Sequence, residues 1–397
     1  MNRRNFIEKG GVATAALIAS TSVFGAIGYD LNLKKEINVG VIGTGHRGCG
    51  LISIINTIEN LNVTAVCDIL PFRLKNGLDR TKGFAKTYTD YKELLKDETI
   101  QAILITTTFS EHTQIALEAI DAGKHVYCEK TMAKGYDGIH NLVKKVKNSD
   151  VIFQTGHQYH SSRLYSHIVD LIKNGKVGKI AAFQCQWNQH GNWRRPVTDP
   201  SLEKAINWRM YREFSGGLTA ELSSHQIDFV NWVLNATPNY VMGMGGIDYW
   251  KDGRETYDNI HLMYSYPEGV KAKFTCLTSN EKEGYQIKVM GDKGTITLTT
   301  NEAWFSPEGQ ANKTAKKDVD GVSGATTQIN NIFGEPIKVE HNDPSQQALI
   351  DFRDSILNNK KPLSDVITGG KAAICVQMGI DAMNYNKTVQ WKPEFDI

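Results

Sequence analysis

Residues 37–48 read INVGVIGTGHRG, and this stretch decides the fold. Ile37 to Ile42 is a short apolar run rich in β-branched residues, which predicts a strand. Gly43, Gly45 and Gly48 then follow in G-x-G-x-x-G spacing, and a helix-like segment runs from Arg47 to about Asn56. Glycines also mark ordinary turns, but a strand before them and a helix after them predict a phosphate-cradling turn. In that geometry Gly43 permits the tight turn and Gly45 lets the backbone approach a pyrophosphate. Gly48 lets helix and strand pack closely, and the helix N-terminus stabilises phosphate charge. His46 and Arg47 are expected to line the same turn.

Working outward, residues 61–68 (LNVTAVCD) give a second strand that closes on Asp68. A carboxylate there is expected to accept hydrogen bonds from adenosine ribose hydroxyls and to repel a 2′-phosphate, which favours NAD over NADP. Arg73 nearby leaves NADP open, and Asp68 also reads as a turn-initiating residue before Pro71. The alternation continues with strands at 101–107, 124–128 and 151–155 and helices at 111–122 and 131–148. This pattern predicts a doubly wound parallel sheet, whose ligands sit at the carboxyl ends of the strands. ITTTFSEHTQIALEA (105–119) and YCEKTMAKG (127–135) therefore point into the cleft, with Thr107, His112, Glu129 and Lys130 as expected cofactor-lining residues.

From Lys179 onward the runs alternate apolar and polar residues: 180–189, 247–250, 260–266, 270–279, 285–291 and 295–300. They predict an open, mainly antiparallel sheet. The expected architecture is α/β, with a Rossmann domain over 31–156 and a C-terminal α+β domain over 157–397. Residues 301–340 read as a polar surface insertion, and helical periodicity returns at 345–358 and 367–383.

GGLTAELSSHQID (216–228) carries the most chemistry. On a regular helix Glu221 and His225 share one face, so the carboxylate is expected to orient the imidazole of a general base. A buried histidine capping the helix into Phe229 is the competing reading, and Asp228 fits a supporting contact or a surface charge equally. TGHQYHSSR places His157, Gln158, Tyr159, His160 and Arg163 after one strand end. NQHGNWRRP places His190, Asn192, Trp193 and Arg194 after another. Aromatic, amide and guanidinium groups together suit a sugar, with polar surface loops as the alternative. No carboxylate–histidine spacing repeats a metal site, and no metal is expected.

GVIGTGHRG, AVCD, ITTTFSEHTQIALEAIDAGKHVYCEK and GGLTAELSSHQIDFVNWVL resemble, in order and spacing, the family named for glucose-fructose oxidoreductase, inositol dehydrogenase and rhizopine catabolism. The resemblance runs from about residue 37 to the C-terminus. It implies a lysine beside the nicotinamide and the substrate hydroxyl, which falls on Lys130. The family's E-K-P motif is Glu129-Lys130-Thr131 here, and its aspartate four residues before the histidine is Glu221. The resemblance further implies that the open sheet serves as substrate wall and as the surface of a homodimer or homotetramer.

Forty-five basic and forty-three acidic residues leave a formal charge of +2, so the balance indicates no nucleic-acid partner. The six cysteines show no CxxC spacing and read as reduced, packed thiols. Arg3-Arg4-Asn5-Phe6-Ile7 followed by an uncharged run from Gly10 to Tyr29 resembles a twin-arginine signal over 1–30. Such a signal exports folded protein, so a periplasmic enzyme carrying a preloaded, recycled cofactor is expected, without stable membrane insertion. The expected activity is NAD-dependent oxidation or reduction of a secondary alcohol in a sugar or glycoside. A glycoside hydrolase working through a transient 3-keto sugar and a non-catalytic sugar sensor are the alternatives.

Overall fold

The computed structural model describes residues 36–309 and 334–397. The expected signal at 1–30 and the middle of the expected insertion lie outside these residues. The described residues from Ile37 onward form one compact unit.

The first sheet is parallel and six-stranded. Its members are β1 (Ile37–Ile42), β2 (Leu61–Cys67), β3 (Lys86–Tyr88), β4 (Ala102–Ile105), β5 (His125–Cys128) and β6 (Phe153–Thr155). They lie in the order β3-β2-β1-β4-β5-β6, which reverses direction between β1 and β4. Val39, Val41, Ala102 and Leu104 have no exposure, as strands covered by helices on both faces require. Leu51, Ile52 and Ile55 of helix His46–Ile55 fill one face. Helix Pro344–Asn358, three hundred residues later in the chain, adds Ala348, Leu349 and Phe352 to that core. Phe352 meets Tyr127 edge-on at 5.7 Å, so the C-terminal segment completes the nucleotide half.

Among the described residues the second sheet has nine strands. These are β7 (Ile180–His190), β8 (Tyr240–Gly246), β9 (Asn259–Ser265), β10 (Lys271–Leu277), β11 (Ser279–Gly291), β12 (Gly294–Leu298), β13 (Ala303–Pro307), β14 (Glu335–Ile337) and β15 (Val389–Gln390). The order is β14-β13-β12-β11-β7-β10-β9-β8-β15, antiparallel except where β7 pairs with β10. Along β10, Ala272, Phe274 and Cys276 are buried while Lys271 and Lys273 are exposed, so one face packs and the other is open. Helix Val366–Asn384 touches Tyr136–Lys147, Ser224–Leu234, β6 and β8, and so links the two sheets.

Three expectations need correction. Residues 247–250 are not a strand: the backbone N–H groups of Asp248, Tyr249 and Trp250 all donate to the Asp258 carboxylate, which folds them into a turn. The helix expected from Thr131 begins at Tyr136, because Gly135 sits at φ 76 and residues 131–134 are held as a loop. The expected insertion carries strands β13 and β14 at its two ends. All six cysteines are buried free thiols. Among the described residues, no helix is long and apolar enough to cross a membrane.

Candidate active site

The carboxyl ends of β1, β2, β4, β5 and β6 deliver Gly43, Asp68, Thr106, Glu129 and Gly156 to one edge of the parallel sheet. Gly43 has φ 92, and a Cβ there would lie 2.8 Å from the Thr106 carbonyl carbon. A Cβ on Gly48 would come within 2.0 Å of the Gly43 oxygen. These two glycines are therefore set by the turn itself. Gly45 caps helix His46–Ile55 with no side chain on its N-terminus, and a Cβ on Gly45 would meet no atom within 4 Å. That arrangement suits a phosphate held by first-turn N–H groups. His46 is exposed beside it.

Asp68 is buried, and its carboxylate accepts the Thr44 N–H at 2.8 Å and the Leu70 N–H at 2.9 Å. It thus fastens the glycine turn to the end of β2 and also initiates its own turn. The Arg73 guanidinium donates to the Ala205 carbonyl at 3.4 Å. Arg47 pairs with Glu129 at 2.7 Å and donates to the Ser345 hydroxyl at 3.1 Å. Burial opposes its charge most strongly, but Glu129, Tyr127 and Asp343 together outweigh this and raise the Arg47 pKa. His112 is buried with Nδ1 2.8 Å from the Thr131 carbonyl, bracing the loop behind Lys130. Thr107 is half-buried at the end of β4.

Lys130 Nζ donates to the Glu221 carbonyl at 2.8 Å and reaches the Ala220 carbonyl at 3.5 Å. The Lys130–Thr131 peptide is cis, and the Thr131 hydroxyl donates to the same Ala220 carbonyl at 3.3 Å. Burial pulls the Lys130 pKa below its ordinary value, against the opposing pull of Glu221 and Glu129. The expected pairing of Glu221 with His225 is not formed. Residues Thr219–Ser223 make a π-helical turn. The Glu221 carboxylate instead accepts from Arg209 Nε at 2.7 Å. Burial alone would raise the Glu221 pKa, but Arg209 and then Lys130 hold it low.

His225 lies in an aromatic cage. Its ring centroid is 5.2 Å from Tyr159, 5.9 Å from His157 and 5.9 Å from Trp187, and Trp187 in turn meets Tyr285 at 4.8 Å. His225 Nδ1 and His157 Nε2 are buried with no hydrogen-bond partner among the described residues. Burial, and next the Lys130 charge, push the His225 pKa well below the usual histidine value. Burial lowers His157 as well.

The remaining expected substrate residues divide. Gln158 is half-buried beside His157, with its Oε1 lacking a hydrogen-bond partner among the described residues. His160 and Asp228 are both buried, with Nε2 2.8 Å from Oδ2 and the imidazole stacked on Trp232 at 4.2 Å. The two side chains thus face each other inside the fold, and Asp228 is not a surface charge. Arg163 points to Asp351 at 3.7 Å, on helix Pro344–Asn358. Arg194 is held by Glu203 and Asp252, Asn192 receives the Arg194 N–H, and Trp193 packs on the main core. His190 is exposed, edge-on to Trp250. Sequence reasoning missed Trp187, Arg209 and Tyr285. Trp187 sits within an alternating strand next to the NQH segment, a signal that could have found it; Arg209 and Tyr285 lack any local motif.

A doubly wound sheet joined to an open sheet, with a glycine cradle and a lysine at the carboxyl edge of the parallel strands, defines a dinucleotide-dependent oxidoreductase class. Residues 37–157 match the oxidoreductase family's NAD-binding Rossmann fold, and residues 169–391 match its C-terminal alpha/beta domain. The chain belongs to this family, the one named for glucose-fructose oxidoreductase, inositol dehydrogenase and rhizopine catabolism. It is 28% identical over 207 residues to an inositol 2-dehydrogenase of Salmonella typhimurium, covering 52% of this chain and 55% of that protein. The match thus spans little more than half the length of that relative. A 2,7-anhydro-N-acetylneuraminate hydratase of Escherichia coli is 25% identical over 67% of this chain and 68% of its own. Among solved structures, levoglucosan dehydrogenase in complex with NADH and levoglucosan superposes with a TM-score of 0.71 at 16% identity, covering 89% of this chain and 99% of that one. That likeness is one of fold.

Proposed function

We propose that this chain is an NAD-dependent oxidoreductase acting on a secondary alcohol of a sugar, polyol or glycoside. The observation that carries the reading is Lys130 Nζ seated on the carbonyls of Ala220 and Glu221, one turn before His225. Two bases whose charged forms burial disfavours thus stand beside the dinucleotide cradle. The names of the inositol, levoglucosan and anhydro-sugar relatives support the substrate class.

NAD, when bound, supplies the hydride acceptor. The Gly43–Gly48 turn and Asp68 would hold its pyrophosphate and adenosine, with Glu129 and Thr107 toward the nicotinamide. Lys130, as a neutral amine, would take the hydroxyl proton and exchange it with His225, while the bound nicotinamide would supply the acceptor for the carbinol hydride. Coupling the two losses avoids the cation that hydride loss alone would leave. His225 accepts or returns the proton, and Trp187 and Tyr285 cover the apolar C–H face of the substrate.

Purified protein incubated with polyols and glycosides, with nicotinamide absorbance and free aglycone followed together, tests the reading. Absorbance change without aglycone supports it; undiminished turnover in His225→Ala removes it. The hydratase relative favours a second reading, in which oxidation, elimination, water addition and reduction regenerate the cofactor in each cycle. Aglycone release with no net absorbance change would select that one.

We further propose export in the folded state, supported by the R-R-x-F-I leader, with the cofactor loaded beforehand and recycled in place. Retention in the cytoplasm after Arg3→Lys and Arg4→Lys, with nucleotide co-purifying from the exported wild type, is the expected result. Assembly into a dimer or tetramer through the open sheet face is supported by exposed Met242, Met244 and Met263 there. Light scattering of the purified protein checks it.

A further inference from the structure

We propose that His157 is a specificity-determining residue that reads the hydroxyl next to the one oxidised, so that the enzyme requires a vicinal diol. The inference rests on the polyol reading above. His157 follows β6 and is 1% exposed. Its Nδ1 lies 3.0 Å from the Thr155 hydroxyl, which itself donates to the Ser364 carbonyl at 3.4 Å. With the hydroxyl hydrogen directed to Ser364, the Nδ1 proton belongs to His157 and Nε2 is left as an acceptor. Ser364 also bonds the Thr155 backbone twice, through N–H to carbonyl at 2.8 Å and hydroxyl to carbonyl at 2.8 Å. The ring is therefore fixed before any ligand arrives.

The acceptor Nε2 is buried and unpartnered, and so is Nδ1 of His225, whose ring meets His157 edge-to-face at 5.9 Å. Buried polar atoms are nearly always satisfied, so two neighbouring orphans point to a shared ligand. One hydroxyl engages Lys130 and His225. A second, on the adjacent carbon, is within reach of the neighbouring imidazole and donates to Nε2. Lysine does not serve this second hydroxyl, because its N–H groups lie on the carbonyls of Ala220 and Glu221 and its one lone pair is taken by the first. A site built to bond a substrate hydroxyl discriminates steeply against the analogue lacking it, because its own polar atom then stays unpaired.

The test uses the holoenzyme with whichever of myo-inositol or levoglucosan turns over, against monodeoxy analogues lacking one hydroxyl next to the oxidised carbon. Wild type is expected to lose about 10- to 100-fold in kcat/KM on one such deoxygenation. In His157→Phe the intact and deoxy substrates should differ by less than about 3-fold, and His157→Gln, which keeps an acceptor, should restore part of the gap. Wild type that accepts every neighbouring deoxygenation without loss overturns the inference without any variant. A discrimination ratio unchanged in His157→Phe overturns it as well. Turnover of no polyol at all removes the polyol reading and this inference together, whereas turnover with an unchanged ratio removes this inference alone.

Discussion

The Glu221 carboxylate faces Arg209, not His225, with Nε and Oε2 2.7 Å apart. Arg209 also lies over the Trp208 ring at 4.3 Å, and its carbonyl accepts from Thr256 at 2.9 Å. Since the Glu221 carbonyl receives Lys130, the ion pair steadies the π-helical turn that seats the amine. Arg209→Met is expected to cost about 1–3 kcal/mol, less than a fully buried pair because Arg209 is 38% exposed and screened. The Glu221 pKa, now subject to burial without its partner, should rise. Its lowered value in the wild type contributes stability above the ordinary carboxylate range that is lost as pH falls. Urea unfolding at pH 7 and pH 4 checks this: the variant's deficit should shrink at the lower pH.

Lys130 gives a prediction about rate against pH. Its lowered pKa makes the neutral amine available below the ordinary lysine value of about 10.4. The kcat/KM profile of the wild type should therefore rise with pH and level off before that value. Lys130→Met should lose about 10²- to 10⁴-fold in kcat and also lose that limb, with little change in thermal midpoint. A variant that kept the limb would assign it to another group.

Stability should fall on the acid side for a separate reason. Burial lowers the pKa of His112, His157 and His225, each kept neutral in the fold. The unfolded chain takes up protons near the ordinary histidine value of about 6.5, while the folded chain does not until lower pH. Protons therefore favour unfolding as pH drops from about 6.5 to 5, above the window in which carboxylates such as Glu221 act. Urea midpoints across that interval should decline steadily. A flat profile would mean these histidines are solvated.

The parallel sheet was legible because its signals are local: a β-branched run, a glycine spacing and an acid at the end of the next strand. The contribution of Phe352 to the same core was not, since only tertiary packing brings helix Pro344–Asn358 back to β5. Lys130 and His225 were legible as residue types in motifs. The partner of Glu221 was not, because nothing local in the sequence marks Arg209 as the cation its carboxylate meets. Residues 247–250 alternate like a strand, yet three backbone donors turned onto the single Asp258 carboxylate override that propensity.

His160 was read from sequence as a substrate contact and Asp228 as a supporting contact or a surface charge, and their burial now gives both a different expected behaviour. Asp228→Asn leaves a buried imidazole without its carboxylate and should cost about 1–3 kcal/mol. At temperatures well below the shifted midpoint, KM should stay within about 2-fold, since neither group has to leave its partner for substrate to bind. A large KM change with wild-type stability would return Asp228 to the substrate site.

Gly45 and Gly48 make a matched pair for testing the cradle. A Cβ at Gly48 collides with the Gly43 oxygen at 2.0 Å, so Gly48→Ala must shift the strand–helix packing and should destabilise the protein by more than about 3 kcal/mol. A Cβ at Gly45 touches nothing within 4 Å, and φ −66 suits alanine, so Gly45→Ala should unfold within about 0.5 kcal/mol of wild type. The added methyl would stand where the pyrophosphate approaches the helix N-terminus. NAD affinity, measured by calorimetry on nucleotide-stripped protein, should therefore fall at least about 10-fold in Gly45→Ala despite its normal stability. Unchanged affinity in that variant would mean the dinucleotide does not cross the helix at Gly45, and the cradle would have to be placed elsewhere on the sheet edge.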